Sequence, residues 1–380
     1  MNRRRFNGLL GASVALATLP RIAHAENGVD ADSIVLGQSC PLSGPAAELG
    51  TDMRLGAQLC FNEVNQKGGL FGRQIKLITL DDGYEPDRAV ANTKRLIEQD
   101  RVFALFGYVG TPTSNAALPL FTRANVPFFG AFTGAESLRK PFNRNIFNVR
   151  ASYFDETEKI VEQLTNLGMQ RIAVLYQNDA YGQAGLAGVQ HALDKRKMKA
   201  VGQATVERNS VVVDPAVKAL VPAQADVIIM ISAYKSIAAF VKAAKKAGYH
   251  GVFHNVSFVG ARALAEELGP DGNGVAISQV VPFPYANSIP IVREYQQALK
   301  AGSSAGISFT SLEGYIAGRT LVEGLRRTGK DLTRDKLIAA LETMRQADIG
   351  GFNINFTPTD HNGSSFVELT MIGQKMNFIH

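Results

Sequence analysis

Short apolar runs alternate with helical stretches along most of this 380-residue chain, and this alternation restricts the fold more than any other feature. Several runs, such as residues 102–106 and 226–231, are apolar on both faces. Parallel strands have this composition when helices cover both sides of the sheet. Strands and helices that alternate along a sequence form βαβ units. The chain is therefore predicted to be an α/β protein with doubly wound parallel sheets.

The predicted strands cover residues 33–39, 74–80, 102–106, 127–130, 171–176, 226–231, 252–255 and 275–279. The predicted helices between them cover residues 52–66, 86–99, 112–123, 154–167, 182–195 and 235–247. A long helical block follows at about residues 291–344, and two strand-like segments, 351–356 and 366–372, end the chain. This ending breaks the alternation, which indicates that the chain returns to cap structures already built.

The chain is too long for one core, because a single hydrophobic core stops growing at about 250 to 300 residues. Hydrophobic residues make up 46% of the sequence, enough to bury a sizeable interior. The sequence has no fixed-period repeat and no long flexible linker. Two intimately connected lobes are therefore predicted.

The first 25 residues have the pattern of an export signal that is later removed. Arg3, Arg4 and Arg5 are followed by a modest apolar run and by a small-x-small end at residues 23–25, so the mature chain is expected to begin near Glu26. The apolar run is shorter than the roughly 20 residues that span a bilayer. Two arginines, any residue and then Phe6 also fit the twin-arginine pattern. Either the general or the twin-arginine route would deliver the protein to the periplasm.

Charge and cysteine content limit the partners of the mature protein. The predicted signal contains four of the 40 basic side chains and no acid, which leaves a near-neutral chain with 34 acids. This balance gives no electrostatic reason to expect nucleic acid binding. The two cysteines, Cys40 and Cys60, lie in a chain bound for a compartment that permits disulfides. Both a bridge and simple burial stay open.

The usual signatures of enzymes and metal sites are absent from the sequence. There is no HExxH pair, CxxC pair, GxSxG elbow or GxxxxGK[ST] loop, and the histidines are scattered. Asp81 and Asp82 are adjacent on a strand, so their carboxylates point to opposite faces and suit loop capping better than acid–base work. We expect no catalytic residue, no metal and no cofactor, and hence a protein that is not an enzyme.

Ligands of open parallel sheets bind beyond the carboxyl ends of the strands. After the strand at 102–106, Thr111 is placed as a helix N-cap and Pro112 as the first helical residue. The amides of Thr113 and Ser114 would then point outward with the positive end of the helix dipole, which suits a small carboxylate. Thr111 as a ligand-binding residue and Thr111 as a cap alone are both compatible with this pattern.

Other strand ends carry groups that suit a ligand. The strand at 127–130 leads to Phe132 as an apolar wall and to Thr133 and Gly134 as close-approach polar groups. In the second half, Tyr181 and Tyr234 each follow a strand and precede a helix, where an aromatic face with a hydroxyl could close over a solute. Each tyrosine could instead be a packing residue.

The chain resembles the periplasmic solute-binding proteins of branched-chain amino acid ABC importers, the leucine/isoleucine/valine-binding type. The resemblance covers nearly the whole mature sequence, and it is specific because its segments occur in a fixed order and spacing. Those segments are LSGPAAELG, FNEVNQKGGLFGR, DDGYEPDRAV, FGYVGTPTSNAALP, VPFFGAFTGAESLR, IAVLYQNDAYGQAG and KAAKKAGYHGVF.

The resemblance implies a type I periplasmic binding fold, with two hinged lobes that close over a solute and three crossover segments. Lobe 1 would comprise residues 26–150 and 281–349, and lobe 2 residues 151–280 and 350–380. The crossovers would fall near residues 151, 280–282 and 350. A monomer would deliver its solute to a membrane permease; a sensor module of the same fold that serves a signalling partner is the alternative.

The same resemblance assigns the ligand carboxylate to Thr111 and to the loop at 132–134, with either Thr133 or Gly134 in the second polar role. It matches Tyr181 and Tyr234 to second-lobe tyrosines and Leu49 to an apolar wall. Its usual acid, which pairs with the ligand ammonium, is here Ser257. Asp179 or Glu48 could replace that acid, or the solute could be a carboxylate without an amino group, with aromatic acids among the candidates.

Overall fold

The computed structural model describes residues 26–379 and contains one five-stranded parallel sheet in the first part of the chain. The predicted signal at residues 1–25 lies outside the described residues. The strands are β1 (Ser33–Cys40), β2 (Gln74–Asp81), β3 (Ala104–Phe106), β4 (Phe128–Phe129) and β5 (Ile146–Phe147). Their order across the sheet is β2-β1-β3-β4-β5, with all neighbours parallel.

A seven-stranded sheet follows in the part of the chain that the structure describes. Its strands are β6 (Ile172–Gln177), β7 (Gly202–Val206), β8 (Val227–Ile231), β9 (Val252–Asn255), β10 (Ala276–Gln279), β13 (Glu368–Ile372) and β14 (Phe378–Ile379). The order is β14-β13-β10-β9-β8-β6-β7, and β13 joins β10 antiparallel. A separate small ladder joins β11 (Ala347–Asp348) to β12 (Asn353–Ile354). The end of the chain thus returns to the second sheet, which explains why it breaks the alternation.

The helices of the first half are α1 (Ala47–Gln66), α2 (Pro86–Glu98), α3 (Thr111–Arg123), α4 (Tyr153–Asn166) and α5 (Ala180–Asp194). Those of the second half are α6 (Asp214–Leu220), α7 (Tyr234–Lys246), α8 (Ala261–Leu268), α9 (Pro290–Gly302), α10 (Phe309–Thr328) and α11 (Arg334–Leu341). The predicted long helical block is therefore three helices. None of the described helices is long and apolar enough to cross a membrane.

Helix α10 packs closely on α1, so the late helices lie beside the first sheet. The contact requires Gly56, because a Cβ there would lie 1.8 Å from the carbonyl oxygen of Ser311. Below, "first lobe" means the five-stranded sheet with α1–α3 and α9–α11, and "second lobe" means the seven-stranded sheet with α4–α8. The residue numbers at which the lobes divide remain a prediction.

Several elements were missed, and the start of one helix was misplaced. Strand β7 and helix α6 were missed, because β7 alternates between exposed and half-buried residues and α6 is only seven residues long. Helix α8 was also missed. Helix α1 begins at Ala47, five residues before the predicted start, and no side chain caps it. A boundary without a capping residue leaves no mark in a sequence.

Cys40 and Cys60 are both buried and form no disulfide, so simple burial is the correct alternative for these residues. Burial raises the pKa of both thiols. The cysteines therefore behave as small apolar residues of the first-lobe core.

Candidate functional site

The loops at the carboxyl ends of the two sheets meet across a cleft between the lobes. The side-chain amide of Gln177, at the end of β6, donates to the Tyr84 hydroxyl at 3.2 Å. Leu49 of α1 packs on Gly260, where a Cβ would lie 2.4 Å from the Leu49 side chain. These contacts join strand-end loops that are far apart in the sequence. They define the interlobe cleft as the candidate site.

A pair of bonded hydroxyls forms the first-lobe wall of the cleft. Thr111 Oγ1 and Thr133 Oγ1 are 2.7 Å apart, and Thr133 Oγ1 donates to the Tyr153 hydroxyl at 3.2 Å. All three side chains are buried. The structure thus brings together two of the predicted residues, from the ends of β3 and β4, and adds Tyr153 from the start of α4.

The prediction that Thr111 caps its helix was wrong. Helix α3 begins at Thr111, the residue at the cap position is Gly110, and no side chain caps the helix. Gly110 has a φ of 101°, which a residue with a side chain rarely adopts. The amide of Ser114 donates to the Gly110 carbonyl at 3.1 Å. This amide is therefore not free for a ligand, contrary to the prediction. The Thr111 hydroxyl is turned to Thr133 instead of to the helix.

Phe132 and Gly134 have different positions in the same loop. Phe132 is buried, and its ring centroid lies 5.3 Å from that of Phe258 across the cleft. Gly134 packs on the backbone of α4, where a Cβ would lie 2.6 Å from the Tyr153 amide nitrogen. Of the two candidates for the polar role, Thr133 places a hydroxyl at the cleft, whereas Gly134 allows close backbone packing.

Phe258 lies at the centre of an aromatic cluster that was not anticipated. Its ring centroid is 4.5 Å from that of Tyr181 and 5.8 Å from that of Tyr84. The Tyr181 hydroxyl is buried and has no hydrogen-bond partner among the described residues. Burial raises the pKa of Tyr181, so this hydroxyl stays protonated and can donate or accept a hydrogen bond at neutral pH.

Tyr234 lies elsewhere. It lines a cavity of about 450 Å³ between α1 and the α7–α8 pair, together with Glu48 and Ala263. The Tyr234 hydroxyl is close to the backbone of Glu48. Tyr181 therefore belongs to the aromatic cluster, whereas Tyr234 lies at the junction of the lobes.

A buried arginine, Arg150, lies in the segment that connects β5 to α4. Its Nη2 donates to Glu156 Oε1 at 3.2 Å and also to Ser257 Oγ. Its Nη1 is 3.5 Å from Glu313 Oε1, and its guanidinium carbon lies 4.8 Å from the Phe132 ring centroid. Burial alone would lower the pKa of Arg150, but Glu313 and Glu156 raise it. The guanidinium therefore stays charged.

The two acids beside Arg150, Glu156 and Glu313, differ in their surroundings. Glu156 accepts from the Ser257 amide at 2.8 Å and from Ser257 Oγ at 3.0 Å, and Ser278 Oγ donates to it at 2.6 Å. Burial raises the pKa of Glu313 to about 7, although Arg150 opposes this. Ser257, at the position where the resemblance expects an acid, is thus bonded to an acid from another element.

Arg150, Glu156 and Phe258 were missed for a physical reason. A lone arginine after a short strand has no periodic signal, and its partners come from α4, α10 and the loop after β9. Phe258 belongs to the VSFVG segment that follows β9, and aromatic residues at strand ends are the only signal for it.

Ion pairs connect the lobes on both sides of the aromatic cluster. On one side, Arg262 of α8 contacts Asp52 at 2.8 Å and Glu48 at 3.1 Å. On the other, Arg208 contacts Glu85 at 2.9 Å and Asp179 at 3.2 Å. The lobes are therefore in a closed arrangement in this structure.

Asp81 and Asp82 cap loops, as predicted. Asp81 accepts from the amides of Leu42 and Gly83, and Asp82 accepts from the Tyr84 amide at 2.8 Å. Asp82 thereby helps to orient Tyr84 toward the cleft. Among residues 26–379, no group of histidine, cysteine, aspartate and glutamate side chains could hold a metal ion.

Two α/β lobes with facing strand-end loops define the class of type I periplasmic binding proteins. The chain belongs to the periplasmic binding protein family, whose model matches residues 33–375. A solved structure of a possible leucine/isoleucine/valine-binding protein from Rhodopirellula baltica SH 1 is 38% identical, with a TM-score of 0.88, and the match covers 93% of this chain and 97% of that chain.

Two further relatives support the assignment. A substrate-binding periplasmic protein from Ralstonia solanacearum is 31% identical, with a TM-score of 0.86, over 91% of this chain and 99% of its own. A Leu/Ile/Val-binding protein homolog 7 from Brucella abortus (strain 2308) is 25% identical over 350 residues, which is 87% of this chain and 86% of the relative. The family is one of solute-binding proteins, not of enzymes.

Proposed function

We infer that this protein is the extracytoplasmic solute-binding component of an ABC importer, and that it captures a small carboxylate between its two lobes. The observation that carries this proposal is the bonded Thr111–Thr133 pair, which presents buried hydroxyls to the cleft opposite an aromatic cluster. Hydroxyls in a site closed from water can rotate to donate to a bound carboxylate. The aromatic rings suit an apolar remainder of the solute.

The relatives support the same class of function. They are named as a possible leucine/isoleucine/valine-binding protein, a substrate-binding periplasmic protein and a Leu/Ile/Val-binding protein homolog. The predicted export signal would place the protein in the periplasm, where a monomer could present its solute to a membrane permease. No catalytic chemistry is proposed for the cleft.

A thermal-shift screen of the chain from Glu26 onward tests this function. The panel contains amino acids, aromatic acids and short-chain acids, each beside its methyl ester. We expect at least one free carboxylate to stabilise the protein, by about 2.7 kcal/mol at a concentration 100 times its Kd. The matching ester should have a much smaller effect. No shift with any carboxylate contradicts the proposal.

Substitution of Thr111 tests the site. Thr111→Val keeps the shape of the side chain and removes the hydroxyl, so we expect the Kd of the identified carboxylate, measured by calorimetry, to rise at least tenfold. Thr93→Val is the control, because Thr93 is also buried and its hydroxyl is 3.0 Å from that of Tyr108, away from the cleft. Equal losses of affinity in both variants would show that Thr111 has no direct role.

A further inference from the structure

The acids around the cleft are already occupied by cations and hydrogen-bond donors. Glu156 accepts four hydrogen bonds, from Arg150, Ser278 and both the amide and the hydroxyl of Ser257. A carboxylate with each oxygen bonded twice has used its strong acceptor positions. Glu156 is therefore not available to a ligand ammonium group.

The two acids that could replace the missing one are occupied as well. Asp179 accepts from the amides of Tyr181 and Gly182 at the start of α5, and its other oxygen accepts from Gln177 and Arg208. Glu48 is paired with Arg262 at the edge of the lobes. Neither carboxylate is free to compensate a buried ammonium.

Glu313 is a further acid beside Arg150, and its surroundings oppose an ammonium. Its Oε1 is 3.5 Å from Arg150 Nη1, so an ammonium bound to Glu313 would lie beside a guanidinium. Like charges at that distance repel strongly in a dry site. Glu313 instead faces Arg150, which opposes the rise that burial causes in the pKa of Glu313.

Arg150 itself has donors to spare. Only 1% of its side chain is exposed, and its Nε and Nη1 make no hydrogen bond among the described residues. Buried N–H groups that lack a hydrogen-bond partner are costly unless an acceptor, such as a ligand carboxylate, completes their contacts. The Tyr181 hydroxyl is another buried polar group without a hydrogen-bond partner among the described residues.

We propose that the cleft selects apolar monocarboxylic acids that lack an amino group, and that Arg150 is the residue that sets this specificity. The inference rests on the proposed function. Arg150 supplies the positive charge for the ligand carboxylate, alongside the Thr111 and Thr133 hydroxyls. The same charge, with Glu156, Asp179 and Glu48 engaged, rejects the ammonium of an α-amino acid. Phe132 and Phe258 contact the apolar part.

Matched ligand pairs test the proposal directly in the chain from Glu26 onward. Calorimetry would compare 4-methylpentanoate with leucine and 3-phenylpropanoate with phenylalanine. We expect at least one acid without the amino group to bind 100-fold or more tightly than its amino acid partner. An amino acid that binds as tightly as its partner, or more tightly, overturns the specificity and leaves the proposed function intact. If the protein binds neither the acids nor the amino acids of these pairs, and no carboxylate of the wider panel, both the specificity and the proposed function are overturned.

Two variants separate specificity from stability. Arg150→Gln should reduce the ratio of the two Kd values to within about tenfold, and Arg150→Lys should retain part of it. Arg334→Gln is the control, because Arg334 is also largely buried and donates to the carbonyls of Phe103 and Val102, away from the cleft. Its Kd ratio should equal that of the wild type. An unchanged ratio in a folded Arg150→Gln variant overturns the role of Arg150. If Arg150→Gln does not fold, the role of Arg150 is tested by comparing the Kd ratio of Arg150→Lys with that of the wild type. An unchanged ratio in Arg150→Lys then overturns that role.

Discussion

Buried titratable side chains at the cleft make the stability of the protein depend on pH, and Glu313 is the clearest case. Burial raises its pKa to about 7 from an ordinary value of 4.5. The folded protein therefore holds a proton that the unfolded chain releases between these values. Stability must fall as pH rises through this range, because ionising the buried carboxyl costs free energy.

Substitution of Glu313 should remove this dependence on pH. In urea unfolding, the free energy of unfolding of Glu313→Gln minus that of the wild type should rise by on the order of 3 kcal/mol from pH 4.5 to pH 8. Asp82, whose pKa burial raises to about 6, has the same trend, but it is present in both proteins and cancels. Glu98→Gln, on the exposed side of α2, controls for loss of a charge. A difference that stays constant with pH would contradict the assignment.

Single residues also show what a sequence can and cannot reveal about a site. Thr111 and Thr133 were predicted because each follows a recognisable strand, and strand ends in a parallel sheet converge. Their direct bond, and the loss of the predicted cap, depend on side-chain rotation. Arg150 could not be predicted, since its contacts come from elements that only the tertiary fold brings together.

Elements with strong patterns were predicted well, and those with weak patterns were missed. Strand β8 is buried along its whole length, and its apolar sequence indicated a central parallel strand. Strand β7 is at the edge of the same sheet and has exposed positions, so no apolar run marks it. The late helical block was predicted as helical, but its packing on α1 depends on small residues that carry no helical signal of their own.

Gly56 tests that packing of α1 on α10. In Gly56→Ala the new Cβ would lie 1.8 Å from a backbone oxygen, which a side-chain rotation cannot relieve. We expect a loss of about 1–3 kcal/mol of stability in urea unfolding, despite the better helix propensity of alanine.

Gly306→Ala is the control for added volume. It has an ordinary backbone conformation, and its nearest atom to a new Cβ is Arg262 Cδ at 3.8 Å. Its stability should change by less than about 0.5 kcal/mol. If Gly56→Ala is as stable as this control, the helices do not pack through Gly56.

The closed arrangement of the two lobes combines an apolar centre with charged edges. Phe258 and Tyr84 meet at the centre, whereas Arg262 and Arg208 connect the lobes at the edges. Partly exposed ion pairs add little stability by themselves, so they favour the closed state without locking it. A bound solute that contacts both lobes would supply the remaining preference for closure.

In the proposed function, a carboxylate binds between the lobes at the Thr111–Thr133 pair, beside Arg150. A crystal structure of the protein with its tightest-binding carboxylate tests this most directly. We expect a ligand carboxylate oxygen within about 3 Å of a Thr111 or Thr133 hydroxyl, with a donor of Arg150 in contact with the same group. A ligand outside the cleft, or one whose carboxylate points away from all three side chains, would contradict it.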